Sequence, residues 1–196
     1  MKLISISQQF SERKNGTKCF AAFDAAEQYR WLLSRNWFNP AEPHMSPPTM
    51  CFVMLNPSTA DGLADDPTIR KCMGFAARWQ LSAIEVVNLY AYRATDPDEL
   101  LGARARGVDI RGGENAQHIE AAIRRADKLV FAWGSTKVPG REHFERHVSE
   151  LALHLGKWPM CFGVTKDGSP KHPLYLSYET NLLAWDVDRR HRGSAA

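Results

Sequence analysis

The chain has 196 residues, a length that suits one domain with a full hydrophobic core. Apolar residues make up 44% and charged residues 24% of the chain, a composition that excludes a largely disordered protein. The formal net charge is +3 and the pI is about 8.7, which is compatible with an acidic or nucleic-acid partner but does not require one.

Membrane and cofactor classes are disfavoured. No stretch approaches the roughly 18 uninterrupted apolar residues of a membrane helix. The N-terminal segment turns polar too early for a secretory signal, so we expect a cytoplasmic protein without membrane contact, in which disulfides do not form. The four cysteines have no C-x-x-C spacing, which argues against an iron–sulfur cluster; we expect no metal and no cofactor.

The N-terminal quarter is predicted to contain both strands and a helix. Residues 3–7 and 17–23 are typical of strands joined by a turn at 14–16. Residues 24–37 are predicted to form a helix with Asp24 as its cap. The proline-rich segment 39–48 predicts a loop.

Strands and helices then alternate. Strands are predicted at 50–55, 83–90, 128–134 and 159–164, and helices at 66–79, 113–126, 141–156 and 178–187. This alternation predicts an α/β fold, a three-layer α/β/α sandwich with a mainly parallel central sheet and a small N-terminal β/α extension. We expect one domain, divided into an N-terminal part (1–48), an α/β core (49–188) and a basic tail (189–196).

Polar residues follow the predicted strands at the edge where open α/β sheets bind ligands. Asn56 follows the first central strand, Asn88 lies near the end of the second, Gly134 closes the third, and His172 comes after the fourth. Each has an ordinary structural explanation, because Asn-Pro initiates turns and a buried asparagine or a lone histidine usually serves packing. Their occurrence in order at four strand ends favours a shared site.

This ordered set resembles the motifs of the uracil-DNA glycosylase superfamily. The counterparts are LNPS (55–58), VVNLYAYR (86–93), FAWGS (131–135) and HPLYLS (172–177), and the resemblance covers about residues 50 to 185. The chain is also similar to a bacterial family catalogued as domain of unknown function 1643, through RWLLSRNW, LNPSTAD, DDPTIRKC, VVNLYAYRATDP and TKDGSPKHPLYL. The similarity to domain of unknown function 1643 implies no activity. The expected chemistry and a glycosylase-like fold therefore come from the resemblance to the uracil-DNA glycosylase superfamily.

The glycosylase resemblance implies hydrolysis of an N-glycosidic bond, on a modified or unmodified pyrimidine flipped out of DNA. Asn56 would position the attacking water and His172 would donate a hydrogen bond to the departing base. Asn88 would read the Watson–Crick edge of the base, because an amide offers a donor and an acceptor. Asp61 is a candidate for the negative charge that Asn56 lacks, with loop structure as its alternative role.

Further contacts are implied by the same resemblance. Ser58, next to Pro57, stands where classical uracil enzymes have a tyrosine that excludes 5-substituted pyrimidines, so thymine or modified cytosines are expected to fit. Leu176 holds the position of the wedge that replaces a flipped base, with Tyr175 as a second candidate. Basic residues of the rim loops would bind DNA phosphates, against the alternative of solvated surface charge. They are Arg70, Lys71, Arg93, Lys137, Arg141, Lys166 and Lys171.

Two other functions stay open. One is an enzyme that cleaves the glycosidic bond of free nucleotides or nucleosides, which needs no wedge. The other is a non-catalytic module that binds a modified base or a DNA end, a reading that the missing carboxylate at position 56 favours. The pattern does not choose between DNA repair, phage defence and phage counter-defence as the biological setting.

Overall fold

The computed structural model describes residues 6–39 and 45–186. The basic tail, the first part of the predicted strand at 3–7, part of the loop at 39–48 and the end of the predicted helix at 178–187 therefore lie outside the described residues.

The described residues form one mixed sheet and four helices. The strands are β1 Ile6–Glu12, β2 Lys18–Asp24, β3 Arg30–Asn36, β4 Thr49–Met54, β5 Ala83–Asn88, β6 Lys128–Phe131, β7 Pro159–Cys161 and β8 Leu183–Ala184. The helices are α1 Pro67–Arg78, α2 Pro97–Ala105, α3 Asn115–Arg125 and α4 Arg141–His154, with a 3₁₀ turn at Pro173–Tyr175. The sheet order is β1-β2-β3-β5-β4-β6-β7-β8.

The prediction of a mainly parallel, three-layer, glycosylase-like sandwich is wrong. Four of the seven strand pairings are antiparallel, and only β5, β4, β6 and β7 run parallel to their neighbours. The predicted N-terminal extension is a meander of three strands that continues the sheet, because β3 pairs with β5.

The error arises at residues 24–37, which form a turn and β3 rather than a helix. Burial along β3 alternates from Trp31 through Leu33 to Arg35, the period of a strand. One of these buried positions holds an arginine, Arg35. Apolar and polar residues therefore do not alternate in the sequence, and their spacing favours a helix instead. Asp24 caps the turn between β2 and β3, where its carboxylate accepts from the backbone N–H groups of Ala26 and Tyr29.

Other elements were predicted with mixed success. Helix α1 begins as expected, with Pro67 in its first turn and the Asp66 carboxylate accepting from the N–H of Ile69 at 2.8 Å. The sequence positions of α3 and α4 are also confirmed, whereas α2 was missed despite a capping box formed by Asp96 and Glu99. The predicted helix at 178–187 is wrong, because Leu183 and Ala184 pair with β7.

The core lies on both faces of β4, all six of whose residues are buried. Met50, Phe52 and Met54 pack with α1 on one face, while the alternate residues, beginning with Cys51, pack with α2, α3 and α4 on the other. After Thr49 at its start, β4 carries only apolar side chains, as a strand buried on both faces does, and the next polar side chain, Asn56, comes where the chain has left the sheet.

All four cysteines are buried thiols rather than disulfides. They lie in separate elements: Cys19 in β2, Cys51 in β4, Cys72 in α1 and Cys161 in β7. Within 6–39 and 45–186, no group of three or more metal-binding side chains is assembled, and no helix is long and apolar enough to cross a membrane.

Candidate functional site

Asn56 lies just beyond the buried end of β4, and its side chain is held by backbone. Its Nδ2 donates to the carbonyl of Ala94 at 2.7 Å and to that of Pro57 at 3.1 Å. Pro57 is buried, and its own carbonyl accepts from the N–H of Ala94 at 3.0 Å. Both amide hydrogens are thus engaged, which leaves Oδ1, without a partner among the described residues, as the group available to a water or ligand.

Asn88 ends β5 directly beside Met54 of β4. Residues paired in a parallel sheet point to the same face, so the Asn88 side chain lies on the α1 face, as Met54 does. Asn88 is 1% exposed, and its Nδ2 has no hydrogen-bond partner among the described residues. An unsatisfied buried donor of this kind costs about 1–3 kcal/mol, which a polar ligand or water at this strand end would recover.

His172 lies at the end of β6, because the chain is tied there through Gly134. The N–H of Gly134 donates to the carbonyl of Pro170 at 2.9 Å. Gly134 has a φ of +73°, and a Cβ placed on it would come within 3.4 Å of the His172 Cβ. The strand end and the histidine are therefore direct neighbours.

The histidine is held in one tautomer. Its Nδ1 accepts from the N–H of Leu174 at 3.4 Å, so in the neutral ring the proton is on Nε2. Burial lowers the pKa of His172 below its ordinary value of 6.5, with a smaller opposing effect of the Asp66 carboxylate. At neutral pH His172 is thus an uncharged hydrogen-bond donor close to the N-terminus of α1.

Asp61 serves the loop between β4 and α1. Its carboxylate accepts from the N–H groups of Leu63 at 2.7 Å and Ala64 at 2.8 Å. These bonds match the loop-structure role that the sequence left open for it. Ser58 is half-buried in the same loop.

Two buried arginines of β3, which sequence reasoning missed, hold this loop. Arg30 donates through Nη1 to the carbonyl of Ala60 at 2.6 Å. Arg35, which is fully buried, pairs with Asp65 at 2.7 Å and donates to the carbonyls of Asp61 and Ala64. Both lie in the predicted helix at 24–37, and the signal that could have corrected that prediction is the Trp-Leu-Leu run between the two arginines, which is unusual for a solvated helix.

The two wedge candidates differ in exposure. Leu176 is half-buried and packs against the α1-face core, whereas Tyr175 is 92% exposed at the end of the 3₁₀ turn. Of the two, only the tyrosine projects from the surface.

The predicted phosphate-binding residues fall into two groups. Arg141 is buried against Glu145 and the carbonyl of Gly134, so it organises the loop after β6 and is not part of a phosphate track. Arg93 is half-buried and bonded to Glu27, and Lys71 lies over the Tyr178 ring at 3.9 Å. The others have exposed side chains, namely Arg70, Lys137, Lys166 and Lys171.

Concave surfaces are present, but none of five is formed by the three candidate residues. Lys137 and Lys166 line one hollow of about 420 Å³ with Ser135, Thr165 and Asp167. A second, of about 460 Å³, lies between α3 and α4, on the face opposite α1. None of five well-formed concavities is lined by Asn56, Asn88 or His172.

The strand register and the contacts of Gly134 thus place Asn56, Asn88 and His172 near the carboxyl ends of three adjacent parallel strands. Comparison with curated proteins gave no match, and neither did comparison with solved structures. A family profile described as protein of unknown function (DUF1643) matches residues 30–174, a span that runs from Arg30 to two residues past His172. The chain belongs to the DUF1643 family.

Proposed function

We propose that the chain is a DNA glycosylase-like hydrolase that cleaves the N-glycosidic bond of a flipped pyrimidine, modified or unmodified. The observation that carries the proposal is the orientation of Asn56, whose two amide hydrogens are held by backbone carbonyls. A carbonyl oxygen fixed in this way can accept a hydrogen bond from a water and orient it for attack on the sugar.

The other two residues fit the remaining steps. As water adds to the anomeric carbon, the bond to the base breaks and its electron pair leaves with the base nitrogen; the proton that the water loses ends on the released base, by way of solvent. The neutral His172, with its proton on Nε2, can donate to the anionic base oxygen without losing that proton. The unpartnered Nδ2 of Asn88 supplies a donor for the edge of the base.

The half-buried Ser58 bears on the choice of base. A serine leaves more space than a tyrosine, so a substituent at the 5-position of the pyrimidine is accommodated in this proposal. Asp61 has no required part in it, because its carboxylate is occupied by two backbone N–H groups.

The test is a single-turnover incubation with oligonucleotides that carry uracil, thymine or 5-substituted cytosines, followed by alkaline cleavage of abasic sites. We expect strand cleavage at one or more of these bases, and a loss of about 10²–10³-fold in Asn56→Ala, because the water loses its positioning group. An intact oligonucleotide in every case, or an unchanged rate in Asn56→Ala, would contradict the proposal. Arg124→Gln, on the exposed side of α3, is the matched control.

A second candidate is the hydrolysis of free nucleotides or nucleosides, which the packing of Leu176 favours because a packed side chain is a poor wedge. The variant Leu176→Ala cannot distinguish a DNA enzyme from a nucleotide hydrolase, since it also removes core contacts. Tyr175→Ala can distinguish them, because the Tyr175 side chain is almost fully exposed. A rate lost on duplex DNA but kept on single-stranded DNA supports the DNA enzyme, whereas cleavage of nucleotides alone supports the second candidate.

A further inference from the structure

Arg30 is a buried cation without a counterion. It is 3% exposed, and within the described part of the chain its side chain makes only one hydrogen bond, to the carbonyl of Ala60. Its Nε is enclosed and has no partner, and no ion pair among residues 6–39 and 45–186 includes it. A guanidinium has five N–H donors, so most of its hydrogen-bonding capacity is unused.

Arg35, five residues along the same strand, shows how this fold satisfies a buried arginine. It pairs with Asp65 and donates to three backbone carbonyls. The two side chains hold the same loop, yet only one is neutralised by a carboxylate.

Charges of both signs surround Arg30. Burial lowers the pKa of Arg30 to about 10, the carboxylates of Asp66 and Asp61 act in the opposite direction, and the nearby charges of Arg93 and Arg35 lower it further. Arg30 is therefore still charged at neutral pH. A buried charge that no carboxylate contacts directly is costly in the folded protein, and a bound anion would lower that cost.

The position of Arg30 places it at the candidate site. Its backbone N–H donates to the carbonyl of Ala91, three residues after Asn88, and its guanidinium reaches Ala60, four residues after Asn56. It therefore lies between the two loops that leave β4 and β5.

We propose that Arg30 binds a phosphate group of the substrate, next to the base-binding residues. Phosphate is the anion that a nucleotide carries beside its base, and a guanidinium can hold two of its oxygens at once. The inference rests on the proposed function only for the identity of the anion. A DNA phosphodiester and the monoester of a free nucleotide offer the same chemistry.

The experiment measures binding without catalysis. The melting temperature of the wild type is recorded against inorganic phosphate, a nucleoside 5′-monophosphate, the matching nucleoside and a short single-stranded oligonucleotide, each against sodium chloride of equal ionic strength. We expect the phosphate-bearing probes to raise the melting temperature and the nucleoside to raise it less. Arg30→Gln should weaken phosphate affinity about 10- to 100-fold, because a charge-assisted hydrogen bond is lost, while Arg124→Gln should leave it unchanged.

Arg30→Lys is a second variant, for the case in which Arg30→Gln does not fold. A lysine keeps the positive charge but cannot bind two phosphate oxygens at once. It should bind phosphate more weakly than the wild type and keep the salt dependence. Stabilisation by the monophosphate identifies a free nucleotide as a source of the phosphate, and stabilisation by the oligonucleotide alone identifies DNA.

Two outcomes would overturn the inference: a wild type that no phosphate probe stabilises, and an Arg30→Gln protein that binds phosphate as tightly as the wild type. Phosphate binding that depends on Arg30 without any base release leaves the inference standing and removes the glycosylase proposal. Base release without phosphate binding that depends on Arg30 supports the glycosylase proposal and overturns the inference about Arg30.

Discussion

At the scale of single residues, Asn56 shows how an amide can be fixed by backbone alone. Its two N–H groups point at two carbonyl oxygens, so a carboxylate in the same place would face those oxygens with no hydrogen to offer. An asparagine thus suits this position for a structural reason, because it donates to two backbone carbonyls and an aspartate does not.

Asn56→Asp is therefore expected to destabilise the fold, although a carboxylate would suit the chemistry better. We expect a loss of about 1–3 kcal/mol in the free energy of unfolding, because two carbonyls lose their donors and face a negative charge. Urea titration followed by fluorescence measures it. A variant as stable as the wild type would show that the loop after β4 adapts easily.

A pH effect is expected from two histidines. Burial lowers the pKa of both His172 and His118 below 6.5, in each case against a smaller effect of a nearby carboxylate. Below pH 6.5 the unfolded chain binds protons at these positions before the folded chain does, so stability is full above that pH and is lost as the pH falls towards the folded-state pKa. The melting temperature should therefore drop below about pH 6.5, and His172→Gln together with His118→Gln should flatten the drop.

The sequence predicted where three candidate residues lie, whereas their roles stay predictions. Asn56, Asn88 and His172 could be placed at strand ends because a strand end is a local property, marked by an Asn-Pro corner, a buried amide or a proline loop. Arg30 and Arg35 were missed because their importance depends on a contact with a loop some 30 residues away.

At the scale of elements, β3 supports the loop between β4 and α1 through the buried pair of Arg35 and Asp65. The side chains are 0% and 6% exposed, so water screens the pair little. Arg13, from the turn after β1, reaches the other oxygen of the same carboxylate at 2.6 Å.

Asp65→Asn should cost roughly 3–5 kcal/mol of stability, because it leaves Arg35 buried without its counterion. The matched control is Glu120→Gln, which breaks an exposed pair with Arg124 on α3 and should cost less than about 1 kcal/mol. Equal losses for the two variants, measured by urea titration, would contradict the assigned role of the buried pair.

Helix α1 meets the segment after His172 at Gly74. A Cβ on Gly74 would lie 2.5–2.6 Å from atoms of the Tyr178 ring, which is 41% exposed and also carries Lys71 over its face. Glycine is needed here for space, since its backbone is ordinary helix.

Gly74→Ala is expected to depend on Tyr178. In the wild type the new methyl group displaces the ring, whereas in Tyr178→Ala the same change gains about 1 kcal/mol of helix propensity. A double-mutant cycle of melting temperatures or urea midpoints should show coupling between the two positions. Additive effects would mean that the ring does not pack on α1.

At the scale of the whole molecule, the antiparallel strands are part of the same sheet as the candidate site. A boundary drawn at residue 48 would remove β3 and with it both arginines that hold the loop after β4. Deletion of residues 1–48 is therefore expected to abolish the fold, as measured by loss of the cooperative thermal transition. A cooperative, soluble fragment would show that the remaining strands fold alone.

The order of the central strands and helices was predictable from periodicity, but the sheet was not. Whether a strand runs parallel or antiparallel depends on whether the chain crosses to the other end of the sheet before it, and the short strand at Leu183–Ala184 carries too few residues to show a period. The pairing of β3 with β5 spans some 50 residues, and no local pattern encodes it.

The four buried thiols can report local unfolding of the protein. Each sits in a different element, and burial raises the pKa of Cys51 and of Cys72, so neither reacts with a thiol reagent while its surroundings stay closed. Mass spectrometry of the native protein during labelling would give a separate rate of local unfolding for β2, β4, α1 and β7. Simultaneous labelling would show that the meander and the parallel strands unfold as one unit.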